Sequence, residues 1–349
     1  MSKNKFHESI CAEGMAKKMK RGVDMENIIS VKGLQKSFKK NHVLKGVDFN
    51  VKKGSIFALL GSNGAGKTTA VRILSTLSKA DGGTAKICGY DVARQDGKVR
   101  ECISLTGQYA AVDEVLTGRE NLKLIAALKH LPNAAEKSAA MLKSFRLEHA
   151  ADRATSTYSG GMRRRLDIAM SLMGDPQVIF LDEPTTGLDP QSRLAMWDMV
   201  KGLSGDGKTV FLTTQYLEEA EYLADHIAIL HNGKITAEGT PDELKTMLPR
   251  GGVQLSFKKS AFAKKAAEIL GNYPVTFDEN NTRTIEVMTD GCAAQFANVL
   301  TVLADAGIEI AQFTQILPTL EDVFLTLIGE KNSEKTGEKT AQQQSEVTE

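Results

Sequence analysis

Two hydrophobic rhythms alternate along this chain. In "SIFALLG" (Ser55–Gly61), "PQVIFLDE" (Pro176–Glu183) and "KTVFLTT" (Lys208–Thr214) apolar residues follow one another and stop at glycine, a carboxylate or threonine, the pattern of short buried strands. Between such runs the apolar positions recur with a helical period. This predicts helices over "GKTTAVRILSTL", 117–130, 135–146, 160–173 and 190–203, and another carrying Leu217, Ala220, Leu223 and Ala224. Further strands are expected at "GTAKICG" (Gly83–Gly89), "CISLTG" (Cys102–Gly107) and "HIAILHNGKITAEG" (His226–Gly239), the last folded back at Asn232-Gly233. Strands alternating with helices predict α/β layers, and the short runs "IISVKGLQKSF" and "HVLKGVDFNV" at the front predict an added antiparallel portion.

The pattern divides the chain. A flexible lead is expected over 1–27, a main domain over 28–248 with a helical subdomain at about 110–175, a small accessory domain over 250–329, and a polar, aperiodic, disordered tail over 330–349. In the accessory region, strand-like "VQLSFK", a helix over 260–270, paired strands near 273–278 and 282–288, a helix over 291–305 and a strand over 307–313 spell a β-α-β-β-α-β unit. With 349 residues, 42% hydrophobic and 25% charged, the chain can build one full core and a smaller second one. A net charge of +1 gives no reason to expect a nucleic-acid surface. Cys11, Cys88, Cys102 and Cys292 lie far apart in sequence without metal-ligand spacing, which suggests a reducing compartment and nothing catalytic. No window approaches 18 consecutive apolar residues, so membrane association would require a partner or a surface contact.

Chemistry concentrates where strands end. "GSNGAGKT" (Gly61–Thr68) fits G-x-x-x-x-G-K-[ST] between a strand and a helix. In such a loop the backbone of Gly61, Ser62, Asn63, Gly64, Ala65 and Gly66 curls its amides around phosphate oxygens. Lys67 would reach the β- and γ-phosphates, Thr68 would ligate Mg²⁺, and Thr69 would hydrogen-bond a nearby phosphate oxygen. In "VIFLDEP" two carboxylates close a buried strand, an expensive arrangement unless something pairs with them. Asp182 can serve the magnesium shell, and Glu183, pointing the other way, can polarise an attacking water; an acidic strand-end turn is the plainer alternative. Ser159, Gly160 and Gly161 head a helix with an apolar stripe of Leu166, Ala169, Met170 and Met173, where Ser159 reads as an N-cap or as part of a second anion site completed by another subunit. Gln215, at the carboxyl end of its strand, reads alone as a solvated turn or as a ligand contact.

Taken in order, these motifs resemble those of the nucleotide-binding subunits of ABC transporters over residues 28 to about 245. "GSNGAGKTT" is similar to Walker A, "VIFLDEP" to Walker B, "YSGGM" to the signature usually written LSGGQ, and "TTGLDP" (Thr185–Pro190) to the D-loop. The resemblance implies a P-loop NTPase of ABC type, with added antiparallel strands, a helical subdomain and a small α+β C-terminal domain. It implies ATP and Mg²⁺ as ligands. Phe38 would stack on adenine, its alternative being an apolar core or strand residue, and Gln108 would contact magnesium or the attacking water as the Q-loop glutamine. Ser159 and Gly161 would touch the γ-phosphate held by an opposite subunit, and Asp189 would organise the dimer contact.

Gln215 falls where the family usually carries a switch histidine. A glutamine donates a hydrogen bond but cannot titrate near pH 7, so the departure increases the share of catalysis left to Glu183. Tyr158 and Met162 replace the outer signature residues; with "LTGQYAAVDEVLTGRENL" and "TTQYLEEAEYLADHIAIL" they resemble the daunorubicin/doxorubicin-resistance type, where this glutamine is usual. That type implies an exporter ATPase on the cytoplasmic face of the membrane, working with an integral membrane permease and a second ATP-binding subunit, identical or related. A soluble ABC protein acting on ribosomes or DNA would commonly carry paired nucleotide domains or a long coiled insertion, and this chain has neither. A degenerate ATP-binding regulator fits poorly with Lys67, Asp182 and Glu183 all present.

Overall fold

The computed structural model describes residues 27–108, 110–248, 251–278 and 281–328; the expected lead, apart from Asn27, and the expected tail lie outside them. The chain divides into two compact units after Thr240, earlier than residue 248, so the short helix Pro241–Lys245 groups with the second unit.

The first unit is built on two sheets. Strands β1 (Asn27–Phe38), β2 (Asn41–Lys52), β4 (Gly82–Ile87) and β5 (Tyr90–Asp91) form an antiparallel sheet in the order β2-β1-β4-β5. Strands β3 (Ile56–Leu60), β6 (Ile103–Thr106), β7 (Val178–Asp182), β8 (Thr209–Thr214), β9 (His226–His231) and β10 (Lys234–Gly239) form the second, ordered β10-β9-β3-β8-β7-β6. All neighbours in it are parallel except β9 and β10, whose turn at Asn232 (φ 49) and Gly233 (φ 80) places both residues in the left-handed region that a two-residue hairpin demands. Every residue of β3, β7 and β8 is buried, which is why their apolar runs are continuous rather than alternating. Phe57, Phe211 and Phe180 are register partners on three adjacent strands, with ring centroids 5.3 Å apart at each step. Phe49 of β2 stacks on Phe57 at 5.2 Å and so joins the two sheets through one aromatic column.

Helices α1 (Lys67–Leu74), α2 (Asp96–Cys102), α3 (Gly118–Leu128), α4 (Ala134–Ser144), α5 (Gly160–Leu172), α6 (Pro190–Gly205) and α7 (Leu217–Leu223) fill the connections. The first residue of α3 is set by a capping box: Thr117 accepts from the Glu120 N–H while Glu120 accepts from the Thr117 N–H. The predicted stripe of Leu166, Ala169, Met170 and Met173 is buried as expected. Cys102 ends α2 rather than opening β6, and the fold sets it beside Cys88, which the sequence separation does not suggest. Burial and the neighbouring Cys102 thiol push Cys88 up to about 12.

In the second unit α8 (Pro241–Lys245) precedes β11 (Gly252–Phe257), α9 (Ser260–Ile269), β12 (Val275–Phe277), β13 (Thr284–Met288), α10 (Ala293–Asp305) and β14 (Ile310–Ile316). The antiparallel order β12-β13-β11-β14 is that of a split β-α-β unit. β14 starts later than the expected 307, because Gly307 (φ 69) and Ile308 close α10. The Gly307 and Ile308 N–H groups donate to Ala304 O and Leu303 O, a helix-ending motif that leaves Ile308 buried in the core.

Candidate active site

The parallel register brings strand ends to one edge: Leu60 pairs with Thr214, Asp182 with Thr213, and Thr106 with Leu181. The loop after β3, Gln108 after β6, Asp182 and Glu183 at β7 and Gln215 after β8 therefore meet at the carboxyl edge, where α/β sheets bind ligands. The Gly61–Lys67 turn is possible only with its glycines. A Cβ at Gly61 would run into the Leu230 carbonyl oxygen, and Gly66, at φ 112, lies where a side chain is strained and would meet Leu44 at 2.8 Å.

Lys67, 4% exposed, donates to Gly61 O at 2.8 Å and Ser62 O at 3.2 Å, and its ammonium lies 3.3 Å from Glu183 Oε1. Thr68 donates to Asp182 Oδ1 at 3.3 Å, and Thr213, which the sequence reading did not single out, donates to the same oxygen at 2.5 Å. The two carboxylates do not diverge as a pleated strand would make them. Glu183 has φ 48, and this left-handed turn brings its side chain round to the phosphate-loop lysine. A hydroxyl and a carboxylate within hydrogen-bond distance form an all-oxygen donor pair that suits Mg²⁺.

Other predicted residues sit at the ends of helices and strands. Ser159 is the N-cap of α5, accepting from the Met162 N–H at 3.2 Å; Ser159 and Gly160 face solvent. Gly161 is buried where a Cβ would meet Ser192 Oγ at 2.8 Å, which locks the head of α5 against the first turn of α6. Asp189 caps α6 by accepting from the Ser192 N–H at 3.0 Å, and hydrogen bonds from Ser192 hold its carboxyl below the usual range. No hydrogen bond or ion pair among the described residues joins Ser159, Gly160 or Gly161 to the Gly61–Thr68 loop. Phe38 ends β1 with 52% exposure, under the Lys36 ammonium, so of its two plainer alternatives it is a strand residue but not a core one. Tyr158 is buried and donates to Ala150 O at 2.6 Å.

Residues 44–186 match the family model described as ABC transporter, and 239–328 match that of the ATP-binding protein DrrA1-3-like C-terminal domain. The daunorubicin resistance ATP-binding protein DrrA2 of Streptomyces coeruleorubidus is 44% identical over 90% of this chain and 98% of its own. The daunorubicin/doxorubicin resistance ATP-binding protein DrrA of Streptomyces peucetius is 41% identical over 90% and 97%. The chain belongs to the ATP-binding subunits of ABC transporters, of the daunorubicin/doxorubicin-resistance type. A dimeric ATP-binding cassette solved in a post-hydrolysis state with ADP and Pi superposes with a TM-score of 0.56 at 27% identity, covering 61% of this chain and 98% of that one. As an ABC-type ATPase, the protein binds ATP and hydrolyses it to ADP and phosphate.

Three buried charged residues of this ABC ATPase escaped the sequence reading. Arg164 and Asp167, one turn apart on α5, are 6% and 5% exposed and approach to 3.3 Å; burial lowers the arginine and raises the aspartate. Glu219 on α7 is fully buried, and its Oε1 accepts from Thr185 Oγ1 at 2.8 Å and Trp197 Nε1 at 3.1 Å. The three-residue spacing of Arg164 and Asp167 within a buried apolar stripe was the available signal. Nothing comparable separates Glu219 from the exposed Glu218 and Glu221 beside it.

Proposed function

We propose that this ATPase powers export of a drug-like or other hydrophobic compound through a separate integral membrane permease, as a peripheral subunit on the cytoplasmic face that works with a second ATP-binding subunit. The resistance proteins named above support the compound class, since they align over both units. Among the described residues no helix is long and apolar enough to cross a membrane, which accords with a separate permease. The observation that carries the catalytic reading is the convergence of Lys67, Thr68, Asp182 and Glu183 within 3.3 Å contacts at one sheet edge.

In this reading the loop amides from Gly61 to Thr69 and the head of α1 hold the phosphates, Lys67 grips the β- and γ-groups, and Phe38 stacks on adenine. Thr68 and Asp182, with Gln108, would hold Mg²⁺, which supplies charge neutralisation on the phosphate oxygens. Glu183 accepts the proton of the attacking water, Gln215 and Gln108 orient that water, and a second subunit contributes Ser159, Gly160, Gly161 and Asp189. Lys67→Ala removes a charge-assisted contact to phosphate and is expected to weaken ATP binding, whereas Glu183→Gln keeps binding and loses most turnover. Nucleotide titration and phosphate release on both variants decide this: undiminished hydrolysis by Glu183→Gln would sink the assigned base.

A further inference from the structure

Burying a guanidinium demands partners for its rigid fork of N–H donors, and the partners of Arg164 are unusual in where they lie. Nη1 donates to Gly107 O at 2.6 Å, Nη2 to Asp182 O at 3.2 Å and Nε to Pro184 O at 3.0 Å. Gly107 immediately precedes Gln108, and Asp182 and Pro184 flank Glu183. Asp167, 3.3 Å from Nη1, accepts the Ala111 N–H at 3.1 Å through its other oxygen. One arginine on the signature helix thus holds the peptides on both sides of Glu183. With Asp167 it also holds the chain before and after Gln108.

Glu183 needs such restraint. Its φ of 48 is one a non-glycine residue keeps only where the surroundings over-determine it. The surroundings here include Arg164 on the two flanking carbonyls, Thr213 O, which accepts the Glu183 N–H at 3.1 Å, and Thr186, whose N–H and Oγ1 donate to Glu183 O and Oε2 at 3.3 Å. We infer that Arg164, anchored by Asp167, is a positioning residue that makes the conformation of Glu183 and the placement of Gln108 depend on one another. A displacement of the Gln108 segment pulls on Gly107 O and the Ala111 N–H, and the planar guanidinium passes it to the peptides that orient the Glu183 carboxylate. Lysine keeps the charge but not the fork, so it cannot hold three carbonyls at fixed mutual angles. The inference rests on the roles given above to Glu183 and Gln108.

The test is a double-mutant cycle on the full chain, comparing wild type, Arg164→Lys, Gln108→Ala and the double variant in ATP binding and single-turnover hydrolysis with Mg²⁺. Arg164→Lys is expected to lower kcat by roughly tenfold or more while ATP affinity stays within about threefold, and to add little once Gln108 is gone. A kcat like wild type in Arg164→Lys, or losses that simply multiply in the double variant, would overturn the coupling. If Arg164→Lys does not fold, Asp167→Asn takes its place; it leaves the fork intact and loosens its anchor, so a smaller kcat loss that disappears in the Gln108→Ala background supports the inference and an independent loss overturns it. Glu183→Gln measured alongside separates the two levels. If it hydrolyses like wild type, the catalytic assignment falls and this inference with it; if it is inactive while the cycle is multiplicative, only the coupling falls.

Discussion

Gln215 stands one residue beyond β8, whose last residue, Thr214, is level with the last residue of β3. A neutral amide there can donate to a phosphate or a water but adds no charge, so in the proposed site it would contribute one hydrogen bond. Gln215→Ala leaves that bond unmade, at about 1 to 3 kcal/mol. Felt wholly in the transition state, that is roughly a 5- to 150-fold slower single turnover. ATP binding to the separated subunit should change much less, because the Gly61–Thr69 loop supplies most of the grip. Equal single-turnover rates for wild type and Gln215→Ala in the assembled transporter would return the residue to a strand-end turn. Its neighbour in role, Glu183, was legible as a residue type but not as a geometry. The alternation of a strand sends consecutive side chains to opposite faces, and only the left-handed turn at Glu183 undoes that.

Glu219 belongs to the scale of elements, because it ties α7 to Thr185 of the D-loop and to Trp197 of α6. Burial raises its carboxyl above the usual glutamate range, against hydrogen bonds that lower it. The folded state therefore binds this proton more tightly than the unfolded chain. The stability it contributes is fully present below the ordinary glutamate value and is lost as pH rises through the raised one. Urea unfolding followed by fluorescence should show that loss in wild type and a flatter pH profile in Glu219→Gln; Trp197, the chain's single tryptophan, reports from the site itself. An unchanged profile in the variant would assign the pH dependence to other groups. Element boundaries were readable to within a few residues where a run ended at glycine or a carboxylate. They failed at β14, where an apolar Ile308 that looks like a strand residue instead seals the end of α10.

At the scale of the whole molecule, no hydrogen bond among the described residues joins Ser159, Gly160 or Gly161 to the phosphate loop, and the proposed shared site needs both. Two copies related head to tail would set each loop against the other's Ser159 and Gly160. Glu183→Gln protein is therefore expected to double in mass by light scattering with ATP and Mg²⁺ but not with ADP. A monomer mass under both conditions, with ATP binding confirmed, would count against the shared site.

What the sequence by itself determined follows from chemistry that is local in the chain. A glycine-rich turn with lysine and threonine, an apolar run ending in two carboxylates, and a serine-glycine helix start each occupy a few consecutive residues, so their residue types and order suffice to recognise them. The β-α-β-β-α-β order of the second unit was legible for the same reason. Tertiary structure alone decided which charges are buried and whom they meet. Arg164 reaches Gly107 across 57 positions and Glu219 reaches Thr185 across 34, and no periodicity encodes such distances. Desolvation selects one glutamate of three on α7 and one arginine of three on α5 only when a particular neighbouring element covers them.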